Sequence, residues 1–317
     1  MLFSACETDF DVNAEWEETT VVFGLLDASD ENQLQKIKIS KAFLGNMDAY
    51  QMAQYSDSIN YGVDELDVKI YKWDFNQIED SVELIAVPTY RDGEIFYDSI
   101  IVYQFDNVNS FLQKGYEYEL VVKNNKSGNL VSSRTEIVTG FDFDNIFTTK
   151  SKSFQFGLYT NNDFSSSTIT WDDSNDNGKI YQLDLIFHYT EIMDGVYTED
   201  SLIYSLPLID DTESKMKIEG NSFFNFLALN LDKNQSVIRY FNEIDMIMTV
   251  GSEDLETYIN VNKPITGIVQ ERPQFTNINN GIGLFSSRFK KIRFDYDLTS
   301  STLDYLKSVD GLDRNFQ

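Results

Sequence analysis

A mainly β chain is predicted by three observations. Apolar and polar residues alternate in short runs, turn-forming residues recur every 8–12 positions, and helical periodicity is nearly missing from the first half. Six or seven such runs between residues 19 and 142 match the pattern of an immunoglobulin- or fibronectin-like β-sandwich. A second antiparallel β domain carrying two or three short helices is expected over 143–317. Residues 1–18 read as a terminal remnant and an acidic tether.

The elements follow in order. Thr20–Leu26 is a β-branched and apolar run, and in Leu34–Ile39 the residues Ile37 and Ile39 alternate with lysines. Asp48 caps one or two helical turns through Tyr55. Leu66, Val68 and Ile70 alternate with polar neighbours, and strands are expected at Val82–Val87, Ile95–Phe105, Tyr116–Lys123 and Leu130–Val138. The last two are joined by the turn Ser127-Gly128-Asn129, which makes them a hairpin. Tyr118, ahead of Leu120 and Val122, is placed for a tyrosine corner.

Near Gly140–Lys150 the pattern breaks into a polar stretch, the expected domain boundary. Strands resume at Phe154–Tyr159 and Thr168–Trp171, and Tyr181, Leu183, Leu185, Phe187 and Tyr189 then occupy one face of a strand. Asn221 or Ser222 is expected to cap a helix with Phe223, Phe224, Leu227 and Leu231 on one face. Ser252 is expected to cap another, with Glu253 and Asp254 in its positive first turn and Leu255, Tyr258 and Ile259 facing the core. Between them Ile244–Val250 reads as a buried strand.

Composition narrows the function classes. The 317 residues carry 52 acids against 25 bases, a net charge of −27. Such a body repels phosphates, so nucleic acid is not an expected partner. No apolar run reaches the 18 residues that a spanning helix needs. One cysteine allows no internal disulfide, and one histidine rules out zinc sites built from several Cys and His ligands.

That cysteine is the strongest single signal. Phe3-Ser4-Ala5 places small residues before Cys6, and the acidic run Glu7–Asp11 follows it, as at the processing site of a bacterial lipoprotein. Cys6 is therefore the expected lipidation site, with anchoring at about 0.8 kcal/mol per buried CH₂. The charged and apolar segment that export requires is expected upstream of Met1.

Other constellations are weaker. Asp173, Asn175, Asn177 and Gly178 fit the first half of a calcium-loop template, with Asp184 at its twelfth position. Yet Tyr181–Thr190 alternates as a strand, which carries Asp184 away from Asp173 at about 3.3 Å per residue. A hairpin turn at Asn177-Gly178 is the favoured reading, and weak calcium binding by Asp173, Asn175 and Asn177 is the minor one. No other cofactor is expected. His188 lies on the polar side of its strand with Asp184 on the same face, a polar surface pair rather than a catalytic one. No nucleophile elbow occurs, and carboxylate pairs for hydrolysis are uninformative among so many acids. Gly281 and Gly283 read as a turn or bulge, and Arg288, Lys290, Lys291 and Arg293 as the solvated face of a strand.

Several segments resemble a family of uncharacterised Bacteroidota lipoproteins of unknown function. They are Thr20–Asp27, Asp57–Tyr61, Tyr181–Leu183 and, most specifically, Gly267–Ile278 with Gly281–Arg288. The resemblance implies export, an outer-membrane lipid anchor, surface exposure directed by Glu7, Asp9 and Asp11, and genes beside TonB-dependent receptors. It implies no catalytic residues. The expectation is a non-enzymatic envelope protein that binds a nutrient or partner as accessory to such a receptor. A structural or adhesive module, calcium-stabilised or not, is the alternative, and a hydrolase using acidic residues comes third.

Overall fold

Alternation along the strands of the first half builds two facing sheets. The structure is a computed structural model that describes residues 19–30, 33–42, 59–90, 99–143, 152–157, 163–172, 177–210, 214–264 and 274–317. The strands are β1 (Thr19–Asp27), β2 (Leu34–Ala42), β3 (Leu66–Asp74), β4 (Gln77–Glu83), β5 (Ile85–Tyr90), β6 (Ser99–Asp106), β7 (Glu117–Asn124) and β8 (Leu130–Glu136). They order as β1-β2-β6-β5 in one sheet and β4-β3-β7-β8 in the other, every neighbour antiparallel. This is the A-B-E-D over C′-C-F-G arrangement of an immunoglobulin-like sandwich.

Between the sheets lie Val22, Leu26, Ile37, Ile39, Val68, Ile70, Tyr103 and Leu120, all nearly inaccessible. Each such side chain contributes about 1.5–3 kcal/mol on leaving water. Tyr118 closes the corner ahead of β7: its hydroxyl donates to the Phe111 carbonyl at 2.9 Å and accepts from the Gln113 N–H at 2.7 Å.

The run Val82–Val87 is not one strand. Its apolar residues straddle Leu84, where the chain leaves β4 in one sheet and enters β5 in the other. Leu84 is buried at that crossing and its N–H bonds the Val68 carbonyl. The expected turns at Asp48–Tyr55 lie outside the described residues, as does the first part of Ile95–Phe105.

The second half holds β9 (Ser153–Phe154), β10 (Ser166–Thr170), β11 (Ile180–Met193), β12 (Val196–Ser205), β13 (Ile209–Asp210), β14 (Lys215–Glu219), α1 (Gly220–Asn230), β15 (Ile238–Gly251), α2 (Glu253–Asn262), β16 (Gly281–Leu298) and α3 (Ser300–Lys307). Strands β12-β11-β15-β16 form an antiparallel sheet. Its inner face presents Leu183, Leu185, Phe187, Ile244, Met246 and Met248, which pack with residues of the β10–β14 ribbon and of α1 and α3.

One strand joins the halves. The first part of β16 pairs parallel with β1, Thr20 opposite Gly281 through Asp27 opposite Arg288, and its second part pairs with β15. The two sheets thus run on as a single ten-stranded sheet. Ile278 and Phe285 are buried in the first core, whereas Val138, Phe141 and Phe143 are buried in the second.

Several local expectations are corrected. Gly283 is in no turn: at φ +120° it lies inside β16, and a Cβ there would meet the Val22 carbonyl oxygen at 1.9 Å. Helix α1 is entered two or three residues before its expected caps, after Glu219 and with no side-chain cap. Gly220 allows that start, because a Cβ would strike the Phe156 and Ser165 carbonyls at 2.3 and 2.5 Å. Ser252 does precede α2, but its hydroxyl bonds Ser286 instead of capping, and no residue of α2 is fully buried. Within the basic stretch of β16, Ile292 and Phe294 face solvent, 40% and 57% exposed. The bases there meet acids, Arg288 with Asp27 at 3.0 Å and Arg293 and Lys291 with Asp142. Ile244–Val250 alternates instead of being buried throughout.

Candidate functional site

Where the sandwich meets the second half, a groove of about 400 Å³ opens between them. Three segments make its walls. Glu117, Arg134, Thr135 and Glu136 come from β7 and β8, Asn177 and Lys179 from the turn before β11, and Ser252, Glu253 and Asp254 from the start of α2. A side pocket of about 130 Å³ continues it past Lys114, Gly115 and Tyr116, sharing Glu117, Glu136 and Asn177.

The strands place these side chains rigidly. Glu117 and Glu136 stand opposite each other in the β7–β8 ladder, one residue pair from Tyr118 and Thr135. Arg134 reaches Glu117 and Glu119 at 3.3 Å each, and its guanidinium lies 4.2 Å from the centre of the Trp73 ring. Trp73 in turn donates to Glu119 at 2.9 Å. The guanidinium is therefore fixed between two carboxylates and an aromatic face, an arrangement that limits its freedom to rearrange.

Asn177 is a wall of the groove. Its amide donates to the Glu136 carboxylate at 2.7 Å and tethers the turn to β8. Asp184 sits within β11, opposite Ile247 on one side and Ser205 on the other. A calcium loop ending at that residue would need it to fold back toward residue 173, which strand pairing on both sides prevents. Asp173 and Asn175 lie outside the described residues, and so does Cys6.

The lining is polar and mostly acidic. Glu117, Glu136, Glu253 and Asp254 outnumber Arg134 and Lys179. Helix α2 directs its positive end here, but its own Glu253, Asp254 and Glu256 occupy the first turn and cancel that attraction for anions. Asp254 also accepts from Asn277, whose amide oxygen in turn accepts the Phe285 N–H. The groove thus offers acceptors to hydroxyl- or ammonium-bearing ligands.

His188 pairs across strands. Its Nε2 lies 3.0 Å from Asp245 Oδ2 on β15, while Asp184, four residues away along the same strand, makes no bond to it. Sequence reasoning missed Asp245 because cross-strand register is invisible to spacing along one strand. It also missed Glu117, Arg134 and Glu136, which read as ordinary hairpin residues. No protein-family model matches the chain, and no curated protein matches it.

Proposed function

We propose that this chain is a non-enzymatic binding protein, held at a bacterial outer membrane by lipid on Cys6. In this reading it captures a polar ligand in the seam groove and serves as an accessory to a TonB-dependent transporter. The observation that carries the binding role is the groove itself, an acceptor-rich cleft walled by both halves of the chain. Its walls are ladder strands and a helix start, so a ligand meets donors and acceptors already in place. The envelope role rests on Cys6 with its flanking Phe3–Ala5 and Glu7–Asp11, and on the resemblance carried by residues 267–288.

The ligand class follows from the lining. Neutral polyols such as oligosaccharides, or peptides with a free ammonium group, suit a site with four carboxylates; anionic ligands do not. Calorimetric titration with oligosaccharides and short peptides should find one saturable ligand. Glu136→Ala or Asp254→Asn should weaken it by about tenfold or more, the loss of one hydrogen bond to a charged group. Absence of binding across both panels retires the binding role. Intact mass of protein from its native host, showing Cys6 without acyl chains, retires the anchor.

A further inference from the structure

On the outer face of the second sheet, well away from the seam strands β7 and β8, one histidine faces a cluster of carboxylates. His188 of β11 stands directly opposite Glu243 of β15, and Asp245 lies two residues further on the same face. The ladder shifts register between His188 and Tyr189, and that of β15 with β16 shifts between Ile244 and Met246. Two bulges thus converge at the cluster, the device by which sheets re-aim side chains. One ligand atom from each of His188, Glu243 and Asp245 lies within 4.8 Å of the other two. Ligands bound at about 2.0–2.2 Å sit no more than about 4.4 Å apart, so small side-chain rotations close the set.

Charge balance points the same way. Several shielded acids elsewhere face a base: Asp27 meets Arg288, Glu65 meets Lys41 and Lys126, Glu119 meets Arg134, and Glu191 meets Arg239. Among the described residues no lysine or arginine forms an ion pair with Glu243, Asp245 or Asp295, whereas His188 pairs with Asp245. Asp295 of β16 shares a hydrogen bond with Glu243, and its N–H lies 3.4 Å from Asp245 Oδ1.

We propose that His188, Glu243 and Asp245 bind one divalent first-row transition ion such as zinc, with Asp295 orienting Glu243 from outside the ligand set. An imidazole nitrogen with two carboxylates suits zinc or manganese, whereas calcium asks for six to eight oxygens and no nitrogen. The side chain of His188 is 31% exposed, so an ion reaches the site without any opening of the fold.

Zinc chloride titrated calorimetrically into the full chain tests this, with bound metal counted by mass spectrometry after dialysis. One equivalent should bind. His188→Gln and Asp245→Asn should each weaken it by about 100-fold, and Asp295→Asn by about tenfold, as outer partners of metal ligands do. Near-ultraviolet circular dichroism identifies any variant that fails to fold, and Glu243→Gln then replaces it. Substoichiometric zinc, affinity unchanged in the variants, or equal competition by calcium overturns the proposal. These readouts do not involve the groove, so they stand or fall apart from the ligand-binding role.

Discussion

Tyr118 and Tyr103 are both buried tyrosines of the first core, and their hydroxyls live in opposite circumstances. That of Tyr118 makes two short bonds to backbone groups around the corner before β7. That of Tyr103 has no hydrogen-bond partner among the described residues, and burial with the nearby charge of Glu65 pushes its pKa to about 12. Tyr118→Phe should therefore cost about 1–3 kcal/mol in denaturant unfolding, because the Gln113 N–H is left unpaired, while Tyr103→Phe should be neutral or stabilising. Glu65 supplies a pH test. Burial raises its carboxyl, but the Gly62 N–H, Lys126 and Lys41 overcome that and hold it below the usual 4.5. A group with a depressed folded pKa stabilises the fold above its unfolded value and loses that contribution as pH falls through the folded one. Melting curves below pH 4.5 should accordingly fall more steeply for the native chain than for Glu65→Gln.

At the scale of elements, α1 and β16 show how close backbone approach sets position. Helix α1 starts against the Phe156 and Ser165 carbonyls and buries Phe223, whose ring centre is 4.5 Å from that of Phe156. Phe223→Ala should cost about 3–5 kcal/mol, measured by thermal or denaturant unfolding. In β16 the left-handed Gly283 lets the strand lie against β1 at Val22. Gly283→Ala should cost about 2 kcal/mol or more, from backbone strain plus the clash with the Val22 carbonyl. Period-two alternation made most of these strands legible, because a half-buried sheet forces it: Leu66–Ile70 and Tyr181–Tyr189 are read correctly from sequence. Val82–Val87 was not, since a strand that changes sheets at Leu84 keeps an apolar run on both sides of the crossing. The start of α1 was read two or three residues late, because carbonyl packing at Gly220 leaves no cap residue to recognise.

In the molecule as a whole, β16 is shared by two cores. Phe285 fills the sandwich while Tyr296 and Leu298, further along the same strand, fill the second half. A fragment of residues 19–142 lacks Ile278, Phe285 and the parallel partner of β1, and should show the poor amide dispersion of a loosened core in NMR spectra. Calorimetry of the full chain should give one cooperative transition, since loss of β16 strips both cores at once. The groove has the same origin, for its walls come from strands, a turn and a helix start that lie far apart in sequence, between Glu117 and Asp254.

By itself the sequence determined the β class, the sandwich pattern of the first half, two of the three helices of the second half, the tyrosine corner and the acidic surface, because each follows from periodicity, turn chemistry or composition within a short window. Only the tertiary structure decided the parallel pairing of β1 with β16, the groove at the seam, and the meeting of His188 with Glu243 and Asp245. Those depend on register between strands distant along the chain. Pairing energy between such strands is spread over backbone bonds that every residue type can make, so the side chains carry no local mark of their partners.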